Sequence, residues 1–273
     1  MWTLNRIVGG LVDGLLFPFH ELPAAVGLAV ISLLATVPIL LVFKATSDQQ
    51  RLAATKRLIV AAILEIRLFN EDPRFVLAAQ WDALRHSLTY IRLTLIPLLW
   101  LALPVLVLMT HLQAYYGYRG IAVGETAIVK VKFEERAAGL PAGSLEGDAG
   151  ITVETPMLWL PTQREANWRV AAMDLGEHKL RLRLGDSVWT KSVLVSGSPG
   201  RRSAIRPSAN LFDQLLYPSE RPTDRGSAVA SIEVLYPAGA VNLLGWHTDW
   251  IIGFLIMTLL AALALRGVLR VTF

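Results

Sequence analysis

KATSDQQRLAATKRLIVAAILEIRLFNEDPRFVLAAQWDALRHSLTYIR, Lys44 to Arg92, lies between two strongly apolar runs and carries a repeat of its own. In its first half Leu52, Thr55, Ile59, Ala62, Ile66 and Phe69 fall at alternating spacings of three and four. Leu77, Trp81, Leu84, Leu88 and Ile91 do the same in its second half. Those are the seam positions of a coiled coil. Between the halves stands Asn70-Glu71-Asp72-Pro73. Proline ends a helix before itself, and Asn and Asp supply turn and N-cap chemistry. Two antiparallel helices of about twenty residues, each ~30 Å long, are expected to zip along these stripes.

The flanking runs read as membrane spans. Ala24 to Phe43 is twenty residues without a charge, enough to cross a ~30 Å hydrocarbon core. Its Pro38 is of a kind that lipid-embedded helices tolerate. Leu93 to Leu112 is the second span, with Pro97, Trp100 and Pro104 inside it and Tyr115, Tyr116 and Tyr118 just beyond. Trp250 to Leu265, sixteen charge-free residues, is the third, with Trp246 and Trp250 as an interfacial belt. Residues 1–22 place Trp2, Leu4, Ile7, Val8, Leu11, Val12, Leu15, Leu16 and Phe19 in an apolar stripe interrupted by Arg6 and Asp13. A signal peptide carries its charge before the apolar core rather than within it, so this segment reads as an interfacial amphipathic helix.

Composition and charge agree with a membrane protein. A 273-residue chain with 53% hydrophobic residues and a mean hydropathy of +0.47 is too apolar for a soluble protein whose middle is full of charges. Zero cysteines exclude disulfides, thiolate chemistry and Cys-ligated metals. The net charge of +4 is modest and its excess lies beside the apolar runs, which favours membrane orientation over nucleic-acid binding. The 44–92 connection holds eight basic residues (Lys44, Arg51, Lys56, Arg57, Arg67, Arg74, Arg85, Arg92) against five acidic ones, and the 266–273 tail adds Arg266 and Arg270. The long connection 113–249 has fifteen of each sign, and long loops cross membranes largely regardless of charge. A multi-pass protein of a bacterial-type inner membrane, N-out and C-in, is expected, with a cytosolic hairpin.

The outer region splits in two. Residues 119–197 hold short alternating runs at Ala127–Phe133, Ile151–Val153, Met157–Leu160, Trp168–Ala172, Lys179–Leu184 and Val188–Val195, punctuated by glycines. About seven such strands suggest an immunoglobulin-like β-sandwich, with Trp159, Trp168 and Trp189 as core aromatics. Residues 198–249 read as a linker carrying an amphipathic turn at Leu211–Tyr217 and one extra strand at Ser231–Tyr236. The expected fold class is therefore an α+β membrane protein: three transmembrane helices, a cytosolic antiparallel helical hairpin and an outer immunoglobulin-like sandwich.

No P-loop, Rossmann glycine pattern, HExxH or GxSxG occurs in the sequence. Ser32, Thr36, Thr94 and Thr258 are the hydroxyls within the spans. They either bond back to helical carbonyls or line a partly wet groove between helices. No ionisable side chain sits near a bilayer midplane, which argues against a proton relay. His20, His111 and His247 all map to the outer interface, where imidazoles at a common depth could ligate haem or a metal; the simpler reading is hydrogen-bonded interfacial residues. The charges of the hairpin, Glu65, Arg67, Asp82 and Arg85 among them, read as a solvated face or as contacts to partners and anionic lipid.

The order of outer amphipathic helix, span, basic cytosolic hairpin, span, outer region and span resembles the YidC/Oxa insertase superfamily, above all its three-span members. The resemblance covers residues 1–112 and 250–273 and is one of topology. It implies a non-enzymatic activity, in which a thin, partly hydrophilic groove eases a client helix into lipid. The residues themselves point first to a non-catalytic membrane scaffold or assembly factor without a cofactor, joining envelope proteins on the two faces of the bilayer. A YidC-like insertase comes second, and a haem- or metal-binding redox subunit third.

Overall fold

The computed structural model describes residues 2–19, 22–69, 71–134, 143–198 and 200–271. It is α+β, with antiparallel sheets and three helices long and apolar enough to cross a membrane. The chain forms two compact units, Met1–Ile31 with Val107–Phe254 and Ser32–Leu106 with Leu255–Phe273.

The second unit is helical. It takes its helices from α2 (Ala24–Thr46), α3 (Gln49–Leu68), α4 (Pro73–Tyr116) and α6 (Trp250–Leu269), while the short α5 (Leu211–Leu216) belongs to the first unit. Asp48 caps α3 by accepting the Arg51 N–H at 3.0 Å. Asp72 caps α4 by accepting the Arg74 N–H at 2.9 Å, with Pro73 at the first helical position, where its missing N–H costs nothing. Asn70, the other expected turn residue, lies outside the described residues. The expected second arm of the hairpin and the expected second span form one helix, unbroken through Pro97 and Pro104. Lys44 Nζ donates to the Leu269 carbonyl at 2.8 Å. The C-terminal ends of α2 and α6 therefore lie side by side, and a cation meets the negative end of the α6 dipole.

The two expected stripes differ in burial. Leu52, Thr55 and Ala62 of α3 are buried, and Ile59 and Ile66 are half-buried. On α4, however, Leu77, Trp81, Leu84, Leu88 and Ile91 are 50–66% exposed. The face that α4 turns inward is Val76, Ala79, Ala83, His86 and Tyr90, a second stripe of the same three-four period. Spacing cannot choose between two stripes of equal period. The small Ala79 and Ala83 permit closer helix approach than Trp81 and Leu84, and they occupy the inside.

The first unit holds the β-structure. Its strands are β1 (Thr126–Phe133), β2 (Gly143–Gly147), β3 (Ile151–Val153), β4 (Leu158–Leu160), β5 (Glu165–Ala172), β6 (Gly176–Leu184), β7 (Ser187–Val195), β8 (Ile205–Arg206), β9 (Val229–Val234), β10 (Val241–Leu243) and β11 (Trp246–Thr248). One sheet runs β3-β5-β1-β9-β8, with β4 also paired to β5; a second runs β2-β6-β7; β10 and β11 form a hairpin. The first two share one apolar cluster, including Val129, Val131, Phe133, Trp168 and Val170 from the larger and Leu180, Leu182, Trp189 and Val193 from the smaller. Trp159 is only partly buried and packs edge-on to Phe133 at 5.5 Å. The expected extra strand, β9, sits between β1 and β8 in the larger sheet. Both β8 and β9, from the segment expected to be a linker, are thus strands of the larger sheet.

Two buried cations stitch that segment down. Lys191 Nζ donates to the Ser203 carbonyl at 2.6 Å, to Ser203 Oγ at 2.9 Å and to Glu220 Oε2 at 2.7 Å. Arg202 donates to the carbonyls of Tyr118, Gly200 and Ser198 at 3.0, 3.2 and 2.6 Å. Gly120 lies so close to the Ser196 carbonyl that a Cβ would come within 1.8 Å of its oxygen. Helix α1 (Trp2–Leu16) turns Asn5, Gly9, Val12 and Leu16 inward. Asp13 pairs with Arg201 at 3.0 Å and accepts the Tyr115 hydroxyl, while Asn5 Nδ2 donates to the Gln214 carbonyl at 2.6 Å. Leu4, Ile7, Leu11 and Leu15, the heart of the expected apolar stripe, face outward.

Candidate functional site

The four hydroxyls expected within the spans lie in different settings. Ser32 and Thr36 are fully buried, and Thr36 Oγ1 donates to the Ser32 carbonyl at 2.7 Å. Thr94 Oγ1 bonds back to the Tyr90 and Ile91 carbonyls. Thr258 Oγ1 is buried without a hydrogen-bond partner among the described residues. Buried as they are, Ser32 and Thr36 do not line an open polar groove.

The two described histidines of the expected trio differ in setting. His20 lies outside the described residues. His111 is buried, with Nδ1 2.9 Å from the Val107 carbonyl and Nε2 3.3 Å from the Asn5 carbonyl. His247 is an exposed residue of β11, opposite Asn242. Among the described residues no three His, Asp or Glu side chains stand together as a metal-ligand set. The expected aromatic belt is also partly internal. Trp250 is buried, its Nε1–H donating to Gln113 Oε1 at 2.8 Å, and Tyr116 is buried as well.

Two surfaces remain. On the β-module, an open groove of about 810 Å³ lies against β1, β5 and β9, walled by the segment Ser208–Tyr217. It is lined by Lys130, Lys132, Arg164, Glu134, Glu165, Glu233 and Asp213. The strand register sets Lys132 opposite Glu165 and Lys130 opposite Glu233, so opposite charges face each other across the strands. At its wall, burial first and then Tyr118, Glu233 and Asp213 push the Tyr217 phenol above the usual tyrosine range. A floor of mixed sign fits an extended polar chain better than a single anion or cation. Its described lining includes no histidine, and within it Ser208 Oγ donates to Asp213 Oδ2 at 2.5 Å.

The second surface is the outer stripe of α4. Leu77, Trp81, Leu84, Leu88 and Ile91 form a ladder on a helix that also carries Arg74, Asp82, Arg85 and Arg92. Nearby sequence on α3 exposes Leu58, Ile63, Leu64 and Leu68 too, without a sustained three-four alternation. Contiguous apolar faces of this size mark interaction surfaces.

The buried Lys191 is a feature that sequence reading missed, although the signal was present. Strand alternation from Trp189 to Val195 puts Lys191 on the same face as Trp189 and Val193, and a lysine at a core position needs a partner. The partner, Glu220, is legible only in three dimensions. Comparison with protein-family models, with curated proteins and with solved structures finds no match for this chain.

Proposed function

We propose that this chain is a non-catalytic integral membrane scaffold or assembly factor. Its three apolar helices span the bilayer, N-out and C-in. The α3–α4 hairpin faces the cytosol, and the β-module, read as an immunoglobulin-like sandwich, faces outside. The observation that carries this reading is the exposed ladder Leu77–Ile91 on α4, an apolar seam presented in a charged connection where only another macromolecule can cover it. The charged groove beside Lys130 and Glu233 offers a separate grip on the other module. The adjacency of Lys44 and Leu269 supports a common side for the hairpin and the C-terminal tail.

Affinity purification of the intact chain from membranes tests the proposal. Leu84→Asp with Leu88→Asp should remove one set of co-purifying proteins, and Lys130→Glu with Arg164→Glu a different set. Identical sets from wild type and both variants would contradict a scaffold. The insertase-like alternative rests on the order of elements, and two of the hydroxyls it would place at a groove, Ser32 and Thr36, are buried. Unchanged client insertion after depletion of the protein would rule it out.

A further inference from the structure

Helix α4 carries two apolar faces of equal period and nearly opposite direction. The inner one is satisfied within the chain. The outer one continues beyond the charged connection: after Leu77, Trp81, Leu84, Leu88 and Ile91 come Leu95 and Leu98, 50% and 55% exposed. Seven consecutive positions thus keep the four-three alternation. We propose that this stripe is a parallel coiled-coil seam whose occupant is α4 of a second copy of this chain. The inference rests on the scaffold reading above and names the partner at its cytosolic surface.

Four observations select that occupant. First, α4 is 44 residues long, about 66 Å, whereas the hydrocarbon core is about 30 Å thick. Lipid can cover only part of the stripe. Second, the stripe keeps one unbroken period from the charged segment into the apolar run at Leu95 and Leu98, so a soluble partner could engage only its charged-segment part. Another copy covers all seven. Third, copies of one chain share one orientation in a membrane, so two α4 helices related by an axis along its normal are parallel and in register. Fourth, the flanking residues allow this pairing. Taking Leu84 and Ile91 as d positions and Leu88 as an a position, Arg85 and Arg92 are e residues, and Gln80 and Ser87 are g residues. A parallel pair sets Gln80 against Arg85 and Ser87 against Arg92 of the other copy, with no like charges facing. An antiparallel pair would bring Arg85 and Arg92 together across the seam.

The absence of cysteine makes the test direct. Single variants Leu84→Cys, Ile91→Cys and, as a control on the same helix away from the seam, Asp82→Cys are made in the full-length chain and oxidised in native membranes. Self-pairing predicts a disulfide-linked dimer with Leu84→Cys and Ile91→Cys, because parallel registers place identical d residues face to face. It predicts none with Asp82→Cys. In detergent, Leu84→Asp with Leu88→Asp should halve the particle mass while circular dichroism stays unchanged. No cross-link at either seam position, or equal cross-linking at all three, overturns the proposal. If the cross-links are absent but the double variant still sheds a different co-purifying protein, self-pairing falls and the scaffold reading stands. If cross-links are absent and the double variant purifies as wild type does, both fall.

Discussion

Leu244 sits at the tip of the β10–β11 hairpin with φ of 53°, followed by Gly245 at φ 94°, and its side chain is fully exposed. Two consecutive positive φ values are the signature of a tight hairpin turn, normally filled by Asn-Gly or Asp-Gly. A leucine in the left-handed region is strained by about 1–2 kcal/mol. Leu244→Asn should therefore raise stability by roughly 1 kcal/mol, read as a higher melting temperature in detergent; an unchanged or lower value would refute the strain. Because leucine is a poor turn residue, this hairpin was invisible in the sequence. Asp148 poses the opposite case. Its carboxylate accepts the N–H groups of Gly150 at 3.2 Å and Lys179 at 2.7 Å, and faces His178 Nδ1 at 3.0 Å. Burial pushes its pKa up, but those N–H groups and then His178 outweigh burial and hold it below the usual aspartate range. A depressed folded value means stability that is complete above about pH 4–5 and is lost as pH falls through the folded value. The carboxylate is 38% exposed, so solvent screening limits the effect to about 1 kcal/mol. The melting gap between wild type and Asp148→Asn should close on acidification; a gap independent of pH would remove the carboxylate from the account.

At the scale of elements, β7 shows how a strand accommodates a charge on its core face. Burial draws the Lys191 ammonium below the usual lysine range, against the pull of Glu220. Glu220 also accepts the Ser192 N–H at 3.0 Å and the Ser203 hydroxyl at 2.7 Å, tying β7 to the 198–249 segment. Removing one partner leaves a buried charge unmatched, whereas removing both leaves ordinary polar and apolar groups. Lys191→Met should thus cost about 3–5 kcal/mol, and Lys191→Met with Glu220→Gln should recover most of it. Denaturant titration of the three proteins reads this directly; a double variant no better than the single would show that the pair is not the coupling. The stripes of α4 make a different point. Val76–Tyr90 and Leu77–Ile91 are stripes of equal period, and the less exposed one is the one that carries Ala79 and Ala83.

For the whole molecule, polarity is the consequential expectation. Glu71, in the turn between α3 and α4, and Asp186, between β6 and β7, are both exposed. In sealed inside-out vesicles a membrane-impermeant maleimide should label Glu71→Cys at once and Asp186→Cys only after permeabilisation. Equal labelling of both before permeabilisation would place the hairpin and the β-module in one compartment and end the two-sided scaffold.

Much of the architecture was legible because it is local. Charge-free length marks the three long helices, Asp72-Pro73 marks the start of α4, and period-two runs such as Lys179–Leu184 mark strands, since each depends on neighbours within a few residues. What only the tertiary structure decided involves distant partners. Which stripe of α4 turns inward, why Trp250 is bonded to Gln113, and why β8 and β9 join the larger sheet all depend on groups far away in the chain. A sequence displays which side chains want burial or a hydrogen bond. It does not display which of several equal claimants the packing satisfies, because that is settled by size and geometry at contacts between remote segments.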